Sequence, residues 1–90
     1  MGKANVDPAE LRRFASDLRR FNSDLESLIA GLHSRLAGLE STWRDQEHRK
    51  FAEAFNATVK VLGQFLEASN QHISFLSKKA ALIEDYLRQR

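Results

Sequence analysis

Three histidines, His33, His48 and His72, are the side chains of this sequence best suited to acid–base chemistry or metal binding. No two of them are four residues apart, so one helix cannot present two imidazoles to the same metal ion. The chain has no cysteine, which excludes a thiolate zinc site and a cysteine nucleophile. We therefore predict no catalytic residues, no bound metal, no cofactor and no enzyme activity. A metal site shared between two chains through His48 or His72 is the remaining alternative.

Long helices must position these side chains, because the sequence contains little material for turns. The 90 residues include only one proline and four glycines. A content of 42% hydrophobic and 29% charged residues is that of a soluble globular protein. The sequence predicts an all-α fold with a single helical-hairpin domain over residues 1–90.

The first helix is predicted over residues 8–39. Asp7 is a good N-cap residue, Pro8 suits the first helical position, and Glu10 places a carboxylate in the first turn. From Leu11 to Leu39, leucine then recurs at every seventh residue. This heptad repeat is typical of a helix that packs along another helix.

The second helix is predicted over residues 46–88. Its apolar residues from Phe55 to Leu87 alternate spacings of four and three, and it ends at Arg88, a cation that suits the negative end of a helix dipole.

The turn between the helices is predicted at residues 40–45. Gly38 is available for the C-terminus of the first helix, and either Thr42 or Asp45 can cap the second. Trp43 belongs either to the turn or to the first turn of the second helix. In both cases it lies at one tip of the hairpin.

The two helices are predicted to pack along their heptad repeats as an antiparallel hairpin. Phe51 and Phe55 are assigned to its core rather than to a functional site. The predicted core residues are Leu11, Phe14, Leu18, Phe21, Leu25, Leu28, Leu32, Phe55, Val59, Leu62, Leu66, Ile73, Leu76 and Ile83.

The second helix also carries a second apolar row, which one neighbouring helix cannot cover. An exposed apolar patch of that size normally marks an interface, so we predict a dimer of hairpins that forms a four-helix bundle. The alternative is that this row only widens the contact within one chain. The predicted dimer interface consists of Phe65, Ala68, His72, Phe75 and Leu82.

The segment from Thr42 to Phe55 resembles the signature region of the WXG family, the small helical-hairpin proteins of type VII (ESX) secretion. In that family a Trp-x-Gly turn separates two helices. Trp43 matches the tryptophan, and Phe51 and Phe55 follow it at about the family's distance. The central position of Trp43, the short chain and the absence of cysteine extend the resemblance over nearly the whole sequence.

Two positions depart from the family pattern. Asp45 stands where the motif has glycine, but aspartate tolerates left-handed backbone better than most residues and can cap the next helix, so we expect the turn to be kept. In the actinobacterial branch, an export motif near the C-terminus has a tyrosine followed four residues later by an acidic residue. Here Tyr86 is followed by Arg90, so Tyr86 matches this motif only in part.

The resemblance implies a homodimer, or a heterodimer with a paralogous WXG-like protein, that is a substrate or accessory of a secretion machine. It also implies that a secretion ATPase recognises the tryptophan turn together with the C-terminal segment of the other subunit. Trp43, Arg44 and Asp45 are then the expected residues of partner recognition. Packing of the turn is the alternative role of Trp43, and the two roles are compatible.

The sequence shows no pattern of a cleavable signal peptide. No apolar run follows Lys3, and no stretch approaches the roughly 20 apolar residues of a membrane span. We therefore expect a protein that is secreted without a cleaved signal peptide, or cytoplasmic before export, with no stable membrane insertion.

The net charge of +2 gives little support for nucleic-acid binding. An intracellular helical adaptor or scaffold that dimerises and is not exported is the alternative function.

Overall fold

A computed structural model describes residues 6–89 of the chain. It contains helix α1, Pro8–Leu39, and helix α2, Gln46–Arg88, joined by residues 40–45. The helices run antiparallel as a rod with principal extents of 67 × 19 × 15 Å. This confirms the predicted fold, an antiparallel helical hairpin. The predictions made for Arg90 and for the N-terminal residues 1–5 lie outside the described residues.

The N-terminus of α1 is set by its capping residues. The Asp7 side chain accepts a hydrogen bond from the Ala9 amide at 2.9 Å, and Pro8 occupies the first position of the helix. At the other end, Gly38 stays inside α1, and Glu40 is the C-cap in right-handed conformation. No residue between 6 and 89 has a positive φ, so the turn does not depend on glycine.

The contact between the helices is narrow and includes small residues. Ala15 and Ala80 are almost fully buried against the other helix, which lets the two backbones approach closely. Of the predicted core residues, three are buried and seven are half-buried. The buried ones are Leu66, Ile73 and Leu76, and the half-buried ones are Leu11, Leu18, Leu25, Phe55, Val59, Leu62 and Ile83.

The structure corrects the other four of these core assignments, Phe14, Phe21, Leu28 and Leu32, and also the assignment of Phe51 on α2. Each of these side chains exposes more than half of its surface. For the four on α1, the reason is that the helix is turned about its axis relative to the predicted orientation, by an amount that keeps Leu11 and Leu18 packed at the contact with α2. Ala15 and Asn22, each one position beyond a predicted core phenylalanine, face α2 instead.

Polar contacts also join the two helices. Asn22 is only 3% exposed, and its Nδ2 donates to Ser69 Oγ at 2.8 Å and to Asn70 Oδ1 at 3.2 Å. Near the open end of the hairpin, Arg12 donates two hydrogen bonds, of 2.8 and 2.9 Å, to the Glu84 carboxylate. These bonds hold the pKa of Glu84 below its ordinary value. Since Asn22 Nδ2 meets these two acceptors in one alignment of the helices only, its hydrogen bonds favour the observed register.

Candidate functional site

The exposed large apolar side chains of α2, apart from Leu87, form a single row. Starting at Phe51, the row repeats with spacings of three and four and passes through Phe65 and Phe75 to Tyr86. This is the heptad spacing of a second packing surface. The complete row is Phe51, Ala54, Thr58, Val61, Phe65, Ala68, His72, Phe75, Lys79, Leu82 and Tyr86.

The exposed apolar residues of α1 form a matching row. Phe14, Phe21, Leu28, Leu32 and Leu39 follow one side of the helix, and each is at least 45% exposed. The four residues that leave the predicted core therefore belong to this surface. We refer to the rows of α1 and α2 together as the apolar face.

Direct contacts show that the two rows lie on the same side of the hairpin. The rings of Phe21 and Phe65 meet edge to face with centroids 6.3 Å apart. Two open clefts also have walls from both helices. The first, of about 500 Å³, is lined by Phe14, Leu18, Phe65, Ala68, Ser69 and His72. The second, of about 190 Å³ and nearer the turn, is lined by Leu32, Arg35, Leu36, Leu39, Phe51 and Phe55.

The predicted interface residues all lie on this face. Phe65, Phe75 and Leu82 are exposed, as are Ala68 and His72 between them. The sequence prediction missed Val61, which is 62% exposed. Continuing the spacing of four and three backwards from Phe65 would have identified it.

The apolar face carries charges of both signs along its rows. On α1, Asp17 lies between Phe14 and Phe21, and Asp24 lies between Phe21 and Leu28. Lys79 lies between Phe75 and Leu82 on α2, and Arg35 lies between Leu32 and Leu39 on α1. A partner that packs over this face must either let these two side chains reach solvent at the edge or provide carboxylates for them.

The turn at the tip of the hairpin packs Trp43 onto His48. The Trp43 amide donates to the Leu39 carbonyl at 2.7 Å, and the residue lies outside both helices, which answers the question left open by the sequence. The indole is half-buried, and its ring centroid is 4.8 Å from that of the His48 imidazole in a T-shaped arrangement. His48 is only 4% exposed. Trp43 and His48 thus form a packed aromatic pair at the tip.

Asp45 takes the place of the family's glycine without strain. Its φ of −85° is not left-handed, and its side chain accepts a hydrogen bond from the His48 amide at 3.0 Å. The expectation that this position needs left-handed backbone is therefore wrong. Asp45 is the N-cap of α2, whereas the Thr42 hydroxyl donates to the Leu39 carbonyl of α1 at 3.4 Å.

Replacing Asp45 with alanine is expected to lower the free energy of unfolding by about 1 kcal/mol, because α2 loses its capping acceptor. Replacement with asparagine, which keeps an oxygen at the same place, should cost only a few tenths of that amount. Urea unfolding followed by circular dichroism measures both. Equal losses for the two variants would show that the cap does not stabilise α2.

The three histidines and Tyr86 lie apart from one another along the rod. His33 contacts Phe55, with ring centroids 6.2 Å apart, and His72 contacts Phe75 at 5.8 Å. Within residues 6–89, no three histidine, aspartate or glutamate side chains are grouped as metal ligands would be. Tyr86 is 68% exposed at the end of the row on α2.

These features define a class of protein: a helical hairpin with a structured tryptophan turn at its tip and an apolar face open along its length. A family model described as "WXG100: Proteins of 100 residues with WXG" matches residues 3–86. The chain belongs to this family, which confirms the resemblance and makes it a WXG-like protein of the type VII secretion class.

Solved structures have the same fold. The wild-type secreted protein EsxB from Bacillus anthracis superposes with a TM-score of 0.82 at 21% identity, over 94% of this chain and 99% of that chain. A point mutant of EsxB gives a TM-score of 0.80 at 21% identity, over 93% and 97%. No curated protein matches the chain. Neither of the two described helices is apolar over a length that would cross a membrane.

Proposed function

We propose that this protein is secreted by, or accessory to, a type VII-like secretion system and acts as a dimer through protein–protein contacts. Before export it resides in the cytoplasm, and it leaves the cell without a cleaved signal peptide. Its role requires no catalytic residue, cofactor, nucleic acid or stable membrane insertion. The apolar face and the turn at Trp43 carry this role.

The observation that carries the proposal is the continuous apolar face. Fully burying one Phe or Leu side chain is worth about 1.5–3 kcal/mol. The face exposes about half or more of Phe14, Phe21, Phe65, Phe75 and Leu82. Covering these residues in both copies would release a free energy comparable to the roughly 4–15 kcal/mol that association costs. A second hairpin has the length and the heptad spacing to cover them as a four-helix bundle.

The partner is a second copy of this chain or a paralogous WXG-like hairpin. The apolar side chains suit either partner. A second copy also supplies carboxylates, because Asp17 and Asp24 lie beside the row of α1, so Arg35 and Lys79 do not exclude self-association.

At the tip, we assign Trp43, Arg44 and Asp45 to recognition of a further protein, with a secretion ATPase as the expected partner. Tyr86 contributes the C-terminal part of an export signal. An exposed tyrosine and a half-buried tryptophan are both side chains that commonly anchor protein interfaces.

Light scattering of the purified chain over a dilution series tests the dimer. We expect twice the 10.3 kDa mass of one chain down to low micromolar concentration. A helical monomer of 10.3 kDa would contradict self-association and require the paralogous partner. A dimer that never appears in the medium of secreting cells would instead support the intracellular adaptor.

A further inference from the structure

We propose that His72 makes the dimer sensitive to pH, so that two copies of the chain separate when its imidazole is protonated in mild acid. This inference rests on the proposed dimer and adds a means of releasing it. His72 is an exposed residue within the row on α2, between Ala68 and Phe75. It is the titratable residue of that row whose side chain ordinarily changes charge near neutral pH.

The surroundings of His72 are apolar on both helices of the hairpin. Its imidazole lies beside the Phe75 ring, with centroids 5.8 Å apart and ring planes inclined by 36°. It also lines the larger open cleft of the apolar face, of about 500 Å³, together with Phe14, Leu18, Phe65, Ala68 and Ser69. The Ser69 hydroxyl already accepts a hydrogen bond from Asn22. A hairpin that fills this cleft therefore removes water from His72 and meets mainly apolar walls.

Among residues 6–89, no carboxylate lines this cleft. Lys79, the charged residue of the row on α2, is seven positions from His72, about 10 Å along the helix, and repels a second cation. Asp17 is two positions beyond Ala15, which places it about 160° around α1 from the side that meets α2. Asp24 lies one heptad further along the same side. Both carboxylates thus lie at the outer side of α1, away from His72.

The partner in this proposal is a second copy, whose apolar face has the same length and spacing and brings the same charged groups. Its Arg35 and Lys79 are cations and cannot stabilise a further positive charge. Its Asp17 and Asp24 lie at the outer side of α1, so in a face-to-face bundle they stay at the solvent edge. The imidazole of His72 is therefore covered by apolar side chains of the second copy.

Covering His72 in this way favours the neutral imidazole. A charged group that loses water without gaining an opposite charge is destabilised, so the dimer binds fewer protons at His72 than the separate chains do. By linkage, the dimer keeps its full stability at neutral pH and loses it as the pH falls. Histidine side chains in water change charge at about pH 6.5, so the loss is expected in the mildly acidic range.

Analytical ultracentrifugation over a dilution series measures the dissociation constant of the dimer at two pH values. Because each dimer holds two copies of His72, we expect the constant to be at least about tenfold higher at about pH 5.5 than at about pH 7.5. His72→Phe and His72→Gln cannot titrate and should each give the same constant at both pH values. Equal constants for the unmodified chain, a tighter dimer in acid, or a pH dependence that persists in His72→Phe would overturn the proposal.

His33→Asn is the matched control. His33 contacts Phe55 and lies outside both rows of the apolar face, so this variant removes one imidazole and should keep the full pH dependence. A loss of pH dependence equal to that of His72→Phe would overturn the assignment to His72. Circular dichroism at both pH values checks that the helices persist, because protonation of the buried His48 would disturb the hairpin itself.

The measurement at about pH 7.5 tests the proposed dimer separately from its pH sensitivity. A dimer at that pH whose dissociation constant does not change in acid would contradict this inference alone. A monomer at both pH values would contradict self-association and, with it, the release of that dimer by acid.

Discussion

Replacing Phe75 with aspartate is expected to raise the dissociation constant of the dimer at least about 100-fold. The Phe75 side chain is 57% exposed in one chain and lies within the row on α2, between His72 and Lys79. Burying what remains exposed is worth about 1–2 kcal/mol per copy, and a carboxylate buried at the same place costs several more. Since 1.4 kcal/mol is a factor of ten, a symmetric dimer loses two orders of magnitude or more.

The measurement is light scattering or sedimentation across a dilution series. Ser74→Asp is the matched control, because it adds the same charge at the neighbouring exposed position outside the row. Both variants should keep the helical hairpin, since neither position is in the buried contact between α1 and α2. A dimer of Phe75→Asp as tight as that of Ser74→Asp would contradict the assignment of the apolar face as the interface.

Replacing Trp43 with alanine is expected to prevent export while the dimer persists. Truncating a tryptophan at the centre of a recognition surface costs about 2 kcal/mol or more, which weakens binding to a secretion ATPase about 30-fold. The variant also exposes His48, which Trp43 covers. Immunoblots of the medium and of cell lysate, from cells with the cognate secretion machine, measure the exported fraction.

Trp43→Phe is the control for this second prediction. A phenyl ring can still pack on His48 at the tip, so export should fall less than in Trp43→Ala. The turn residues contribute little to the contact between the helices, so we expect both variants to remain dimeric. Normal export of a folded Trp43→Ala protein would show that Trp43 only packs the turn.

The helical hairpin could be predicted from the sequence because it depends on local features: the helix caps, the heptad spacing and the motif around Trp43. Capping by Asp7 and Asp45 needs only neighbouring residues, because a cap bonds to amides two or three positions away. Heptad spacing likewise shows that each helix packs along another. The motif around Trp43 is also local, since it lies within a few consecutive residues.

The rotation of the helices about their axes was decided only by the tertiary structure. Each helix of the hairpin carries more than one stripe of apolar residues. The spacing of these residues identifies the stripes, but it does not show which stripe of one helix faces the other helix. The small side chains of Ala15 and Ala80 allow the closest approach, and Asn22 finds its partners in Ser69 and Asn70 only there.

The same rotation decides which residues are available to a partner. Once Ala15 and Asn22 face α2, Phe14 and Phe21 must point to one side of the hairpin, where they meet Phe65. The burial of His48 under Trp43 likewise depends on how the chain closes its turn. The sequence by itself thus determined two capped amphipathic helices and a tryptophan turn. Close packing between the helices decided which apolar stripe is buried, because two helices in contact can each cover only one stripe of the other.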